Sequence, residues 1–165
     1  MSSISLIGMP GAGKSTIGVQ LAKATARDFV DTDLLIQLRE QKPLQQIMDE
    51  TDYLNLRRIE EEVLLSVDYP NHVIATGGSA VYSEAGMATL KQLGPVVFLD
   101  VELEELKARI KDYETRGIAK HPEQSFAELF EERNRLYRRY ADHTITCAGK
   151  TQEELVALIA AIEAA

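Results

Sequence analysis

Tryptophan is absent, cysteine occurs once, and positive charge is in short supply. With Cys147 as the single cysteine, neither a disulfide nor a thiolate metal cluster can form within the chain. Lys and Arg together number 18 against 26 Asp and Glu, a formal net charge of -8, so a basic nucleic-acid footprint is not expected. His72, His121 and His143 lack metal-ligand spacing and read as surface or packing residues. No apolar run approaches the roughly 20 residues that cross a bilayer. The opening from Met1 to Ile7 has no basic segment before its apolar residues and does not read as a signal peptide. The expectation is a cytoplasmic protein, monomeric, with no membrane or nucleic-acid partner.

What is present is an ordinary globular balance. Of 165 residues, 45% are hydrophobic and 27% charged, which suits one domain over residues 1–165 with one sizeable core. No internal repeat, low-complexity tract or linker interrupts it. Short apolar runs alternate with helical periods, the pattern of a parallel α/β sheet. Strands are predicted at Ile4 to Ile7, Asp28 to Val30, Val73 to Ala75, Val96 to Leu99 and His143 to Thr146. Helices are predicted over 14–24, 34–39, 52–67, 84–93, 125–140 and 151–164, with shorter ones after Pro43 and Asp100. Residues 111–124 are polar, aperiodic, and read as a mobile loop. The result is a five-stranded parallel sheet flanked by helices.

Gly8-Met9-Pro10-Gly11-Ala12-Gly13-Lys14-Ser15 matches G-x-x-x-x-G-K-[ST] in full, between an apolar strand and a helix. In a P-loop of this kind the backbone amides wrap nucleotide phosphates. Contacts to ATP are therefore expected from Gly11, Ala12, Gly13, Lys14, Ser15 and Thr16. Lys14 supplies charge for the β- and γ-phosphates, and the Ser15 hydroxyl is placed for Mg2+. A guanine-reading N-K-x-D is absent.

Acidic candidates come next. Asp100 ends an apolar strand and either holds magnesium or, as the favoured reading, caps the helix that follows. Asp31 and Asp33 lie beyond the second strand, where open α/β sheets place ligands. Two carboxylates so close repel unless a cation or a donor-rich ligand separates them. Asp33 capping the next helix is the competing reading. Arg133 falls on the apolar stripe of Phe126, Leu129, Phe130, Tyr137 and Tyr140, where it must meet an anion. Arg57 and Glu60 flank another stripe. They form either an intrahelical pair or a carboxylate clamp in which Glu60 steadies Arg57.

These residues resemble the shikimate kinase family along essentially the whole chain. The likeness rests on Gly8 to Gly18, Asp31-Thr32-Asp33, Leu56-Arg57-Arg58-Ile59-Glu60, Ala75-Thr76-Gly77-Gly78, Arg116, and Arg133-Asn134-Arg135-Leu136-Tyr137. It implies a P-loop kinase fold of nucleoside-monophosphate-kinase type, with a lid at about 111–124. It implies ATP and Mg2+ as cofactors and shikimate as the small-molecule acceptor. By position it makes Asp33 the acceptor-hydroxyl partner and base, and puts Asp31 near the metal. It makes Arg57 and Arg133 the carboxylate clamp, lets Gly77 and Gly78 contact the acceptor, and gives Arg116 a catalytic place at the transferring phosphate. Arg109 becomes an adenine-stacking residue. Three positions depart from the family pattern: Ser79 and Gly117 where Gly and Pro are usual, and Arg135 where Pro is usual. Ile118-Ala119-Lys120 replaces a more usual pair of leucines. A kinase for another small hydroxy acid, or a nucleotide-binding protein without turnover, are the remaining readings.

Overall fold

Ile4–Ile7 forms β1, and each of its residues is buried, as a central parallel strand requires. It pairs in parallel with β3 (His72–Ala75) on one side and β4 (Val96–Asp100) on the other. β2 (Asp28–Asp31) joins β3, and β5 (His143–Thr146) joins β4. The sheet order is β2-β3-β1-β4-β5, all parallel, so the expected five-stranded sheet is observed. The structure, a computed structural model, describes residues 2–111 and 117–164.

The helices are α1 (Lys14–Thr25), α2 (Thr32–Glu40), α3 (Leu44–Glu50), α4 (Tyr53–Leu65), α5 (Glu84–Leu93), α6 (Leu103–Arg109), α7 (Phe126–Tyr140) and α8 (Gln152–Ala164). A 3₁₀ turn spans Ala80–Tyr82. Side-chain caps explain several starts. Asp52 accepts from the Asn55 N–H at 2.7 Å, and Ser83 accepts from the Gly86 N–H at 2.9 Å. Ser125 and Glu128 form a reciprocal capping box, so Ser125 precedes α7 and is not its first residue. α1 begins without a side-chain cap, which leaves its first N–H groups to a ligand.

Two sequence expectations about caps are corrected here. Asp100 does not cap α6: Glu102 holds that position, and Asp100 ends β4 with its carboxylate taking an ion pair from Arg138 at 2.8 Å. The strand simply runs one residue further than its apolar run suggested. At α2 the cap is Asp31, whose Oδ1 accepts from the Asp33 N–H at 2.9 Å, so Asp33 is not needed for that task.

The main core runs from β1, β3 and β4 into α1, α5, α7 and α8. A smaller apolar cluster joins Ile36, Ile47, Leu56, Ile59 and Val63 beneath α2, α3 and α4, and Ala119 completes it. The loop after α6 is thereby tied to the helices that carry the acidic and basic candidates. No helix among the described residues is long and apolar enough to cross a membrane.

Candidate active site

The carboxyl ends of β1, β2 and β3 lie side by side, so their following loops meet above the sheet. After β1 comes the P-loop. Lys14, 9% exposed, donates to the carbonyls of Gly8 at 2.6 Å and Met9 at 2.9 Å. Burial lowers its pKa to about 8, although Asp33, Asp31 and Glu60 pull it back upward. An incoming polyphosphate would restore the charged form and offer the ammonium better acceptors than backbone carbonyls.

Ser15 donates to Asp31 Oδ2 at 2.6 Å. The two oxygens expected to hold metal are therefore adjacent. Among the described residues no cluster of three or more His, Cys, Asp or Glu could hold a metal ion. A pair of hard protein oxygens, with phosphate and water for the rest, is what Mg2+ commonly accepts. The residues fit that ion.

Arg109 donates to the carbonyls of Gly11 at 3.1 Å and Ala12 at 3.4 Å, and its Nε to Glu105 at 3.0 Å. It borders a cleft of about 320 Å³ that Gly11, Ala12, Gly13 and Thr16 also line. Cys147 and Lys150, from the turn after β5, face the same cleft. Cys147 is buried beside the last strand, and its wall of the cleft has no counterpart in sequence spacing.

Loops from β2 and β3 build a second pocket against the P-loop. Pro10, Asp33, Glu60, Gly78, Ser79 and Arg133 line it, with residues 117–119 above. The Gly77 N–H donates to Thr32 Oγ1 at 3.1 Å, which pins the β3 loop to the start of α2. Gly77 brings the chain close to both acids: a Cβ there would run into the carboxylates of Glu60 and Asp33, which would have to move. A Cβ on Gly78 would meet Arg133 Nη1 at 2.7 Å and Pro10 Cδ at 3.0 Å.

Arg133 is 1% exposed, and its Nη2 donates to the Ala119 carbonyl at 2.9 Å. Arg57 Nη2 donates to the same oxygen at 3.0 Å. Its guanidinium also lies 3.6 Å from the centroid of the Tyr82 ring and 4.9 Å from that of Tyr53. The Nε atoms of both arginines are buried without a hydrogen-bond partner among the described residues. Burial alone would lower the Arg133 pKa, but Tyr137, Tyr82 and Glu60 outweigh it and the group stays charged. Two cations thus converge on one backbone oxygen with donors to spare, as at a site built for a carboxylate.

Glu60 is not the partner of Arg57, contrary to both sequence readings. It points into the second pocket, where its Oε1 accepts from the Ser79 hydroxyl. Its Oε2 has no partner among the described residues. At 3% exposure, burial and the nearby Asp33 push its pKa up to about 7, against the hydrogen bond from Ser79, Arg133 and Lys14.

The three departures from the expected pattern separate in space. Ser79 lines the pocket. Gly117 sits at its rim with φ +75, which proline cannot adopt, and its N–H donates to Gln45 Oε1 at 2.9 Å. Added bulk there would press on Leu44, so Gly117 is a close approach to α3 rather than slack in the loop. Arg135 is exposed and does not line the pocket. Ile118 and Ala119 are buried, and the pocket beneath them is only about 50 Å³. Arg116 and most of the start of the expected lid lie outside the described residues. Sequence reasoning missed Tyr82, Ser79 as a hydrogen-bond donor, and the Ala119 carbonyl; none of these carries a spacing signal.

The family model described as shikimate kinase matches residues 10–163. A shikimate kinase of Clostridium botulinum is 37% identical over 157 residues, which cover 94% of this chain and 93% of that one. The structure of the Acinetobacter baumannii shikimate kinase in complex with shikimate superposes with a TM-score of 0.87 at 30% identity, covering 99% of this chain and 93% of that one. The Aquifex aeolicus shikimate kinase gives a TM-score of 0.78 at 34% identity, with 95% and 93% coverage.

Proposed function

The chain belongs to the shikimate kinase family, and on that premise we propose that it transfers the γ-phosphoryl group of ATP to the 3-hydroxyl of shikimate, giving shikimate 3-phosphate and ADP. One observation carries the reading. Arg57 and Arg133 converge on the Ala119 carbonyl, and Ala119 and Arg133 line a pocket that also holds Asp33 and abuts the P-loop. That combination suits a small acid bearing hydroxyls, held beside a nucleotide.

The geometry supports the following roles. The P-loop amides and the N-terminus of α1 cradle the phosphates, with Lys14 released from its carbonyls to the β- and γ-oxygens. Arg109 covers the base in the cleft beside Thr16. Ser15 and Asp31 would hold Mg2+, partly through water, and the ion would neutralise charge on the transferring phosphate. Arg57 and Arg133 grip the acceptor carboxylate once the Ala119 carbonyl yields its place. Asp33 orients the acceptor hydroxyl toward the γ-phosphorus and takes its proton as the new P–O bond forms. Residues 117–119 cover the acceptor and keep water out of the transfer.

A coupled assay for ADP release, with ATP and Mg2+ in the presence and absence of shikimate, tests the proposal. ADP production that depends on shikimate supports it. ADP production that ignores shikimate but responds to another hydroxy acid gives the site a different acceptor, and no turnover with any such acid leaves a nucleotide-binding protein.

The clamp has its own test. Arg133→Lys and Arg57→Lys keep the charge but lose the planar fork that meets a carboxylate with two parallel hydrogen bonds. Each variant should raise the KM for shikimate about 10- to 100-fold, the span of one or two lost charge-assisted hydrogen bonds, and leave the KM for ATP within about twofold. Equal increases for both substrates would make the arginines structural.

A further inference from the structure

The Glu60 carboxylate is the one buried acid in the second pocket that the proposed mechanism leaves without a task. Three observations bear on it. Its Oε1 is engaged by the Ser79 hydroxyl. Its Oε2 is buried and unpartnered among the described residues. That free oxygen and Asp33 Oδ1 occupy the same space beside Gly77, where any Cβ would collide with both. A carboxylate with one oxygen tied down and the other bare is held in a definite orientation. Here the bare oxygen lies beside Asp33 Oδ1.

We propose that Ser79 is a positioning residue of the acceptor site: by donating to Glu60 Oε1 it fixes the carboxylate and keeps Oε2 a bare hydrogen-bond acceptor beside Asp33, so that the acceptor's hydroxyls meet two carboxylate oxygens. The inference rests on the reading of this pocket as the acceptor site.

The charges around Glu60 explain why a fixed donor matters. Asp33 on α2 repels it; Arg133 on α7 and Lys14 on α1 attract it, and Tyr137 on α7 lies close enough to feel its charge. Arg57, on the same helix as Glu60, is turned toward Tyr82 and Ala119 instead. Burial favours the protonated form. A protonated Glu60 is a donor rather than an acceptor, and its proton is free to engage Asp33, the proposed base. Ser79 donates to the ionised form and works against that outcome. Without the hydroxyl, Glu60 should hold its proton to higher pH.

Ser79→Ala and Ser79→Gly both remove the donor. Position 79 has φ -98 and ψ 8, so neither change needs a new backbone conformation. For each variant, the acid limb of the kcat/KM profile for shikimate should move up by about one pH unit, as expected for loss of a hydrogen bond to a charged group. At pH 7 the KM for shikimate should rise about 3- to 10-fold, with the KM for ATP unchanged. In a Glu60→Gln background, which has no titratable group at that position, Ser79→Ala should leave the pH profile where Glu60→Gln alone puts it. A separate readout needs no substrate: carboxyl-carbon NMR of Glu60 in the free protein should show its titration displaced upward in Ser79→Ala. An unmoved Glu60 titration overturns the proposal, as does a profile shift that persists in the Glu60→Gln background or occurs only in Ser79→Gly. A wild-type protein that does not phosphorylate shikimate would instead overturn the acceptor assignment, and the NMR titration would still decide the Ser79–Glu60 link.

Discussion

Lys14→Met is expected to lower turnover by about 10³-fold or more while the protein folds at least as well as the wild type. Loss of one preorganised charge aimed at developing transition-state charge ordinarily costs about 10²–10³-fold, and Lys14 faces both the phosphates and the transferring group in the proposed mechanism. The fold should not suffer, because burial already penalises the Lys14 charge and lowers its pKa to about 8. Its hydrogen bonds go to the Gly8 and Met9 carbonyls of the same loop and not to a distant element. A neutral side chain of similar length removes a desolvation cost and keeps most of the packing. Turnover in the coupled assay, ATP affinity and the melting temperature check this together. A well-folded variant with more than about a tenth of wild-type activity would remove Lys14 from the chemistry.

Asp33→Asn should reduce the chemical step by about 10²–10⁴-fold, the range for a positioned general base, with ATP binding preserved. The substitution keeps size and removes the proton acceptor. It is not expected to loosen α2, because the helix is capped by Asp31. It should also relieve Glu60, whose pKa Asp33 helps to raise. The sign follows from proton counting. With a folded-state pKa of about 7 against 4.5 in the unfolded chain, Glu60 holds more proton in the folded state between those values. Its contribution to stability therefore declines as pH rises from about 4.5 to about 7. Asp33→Asn should shrink that decline. Single-turnover rates and melting temperatures across this pH range provide the test. A variant that loses stability across the range and keeps its single-turnover rate would make Asp33 a structural residue.

Much of this protein was legible in its sequence because the relevant signals are local. The five strands follow from short apolar runs, and their observed limits differ by at most one residue at an end. The P-loop is a contiguous motif whose function lies in its own backbone, so its placement after β1 needed only a strand before it and a helix after it. The place of Arg133 on an apolar stripe implied burial, and it is buried; the partner the structure gives it is the Ala119 carbonyl. Interactions between distant segments were not legible. Asp100 looked like a cap until Arg138, 38 positions away, took its carboxylate. Glu60 seemed to belong to Arg57, three positions away on the same helix, until the fold brought Ser79 to it.

Gly117 gives the same lesson for backbone. It stands where the resembled family usually has proline, in a stretch that reads as a mobile loop, yet its φ of +75 and its approach to Leu44 make it a packing requirement. The sequence by itself therefore determined the sheet, the phosphate cradle and the set of charged residues that need partners. Only the tertiary structure decided which partners they have. A period or a motif is written into neighbouring residues, whereas the partner of a buried charge is whichever group the chain's long-range packing carries within about 3 Å of it.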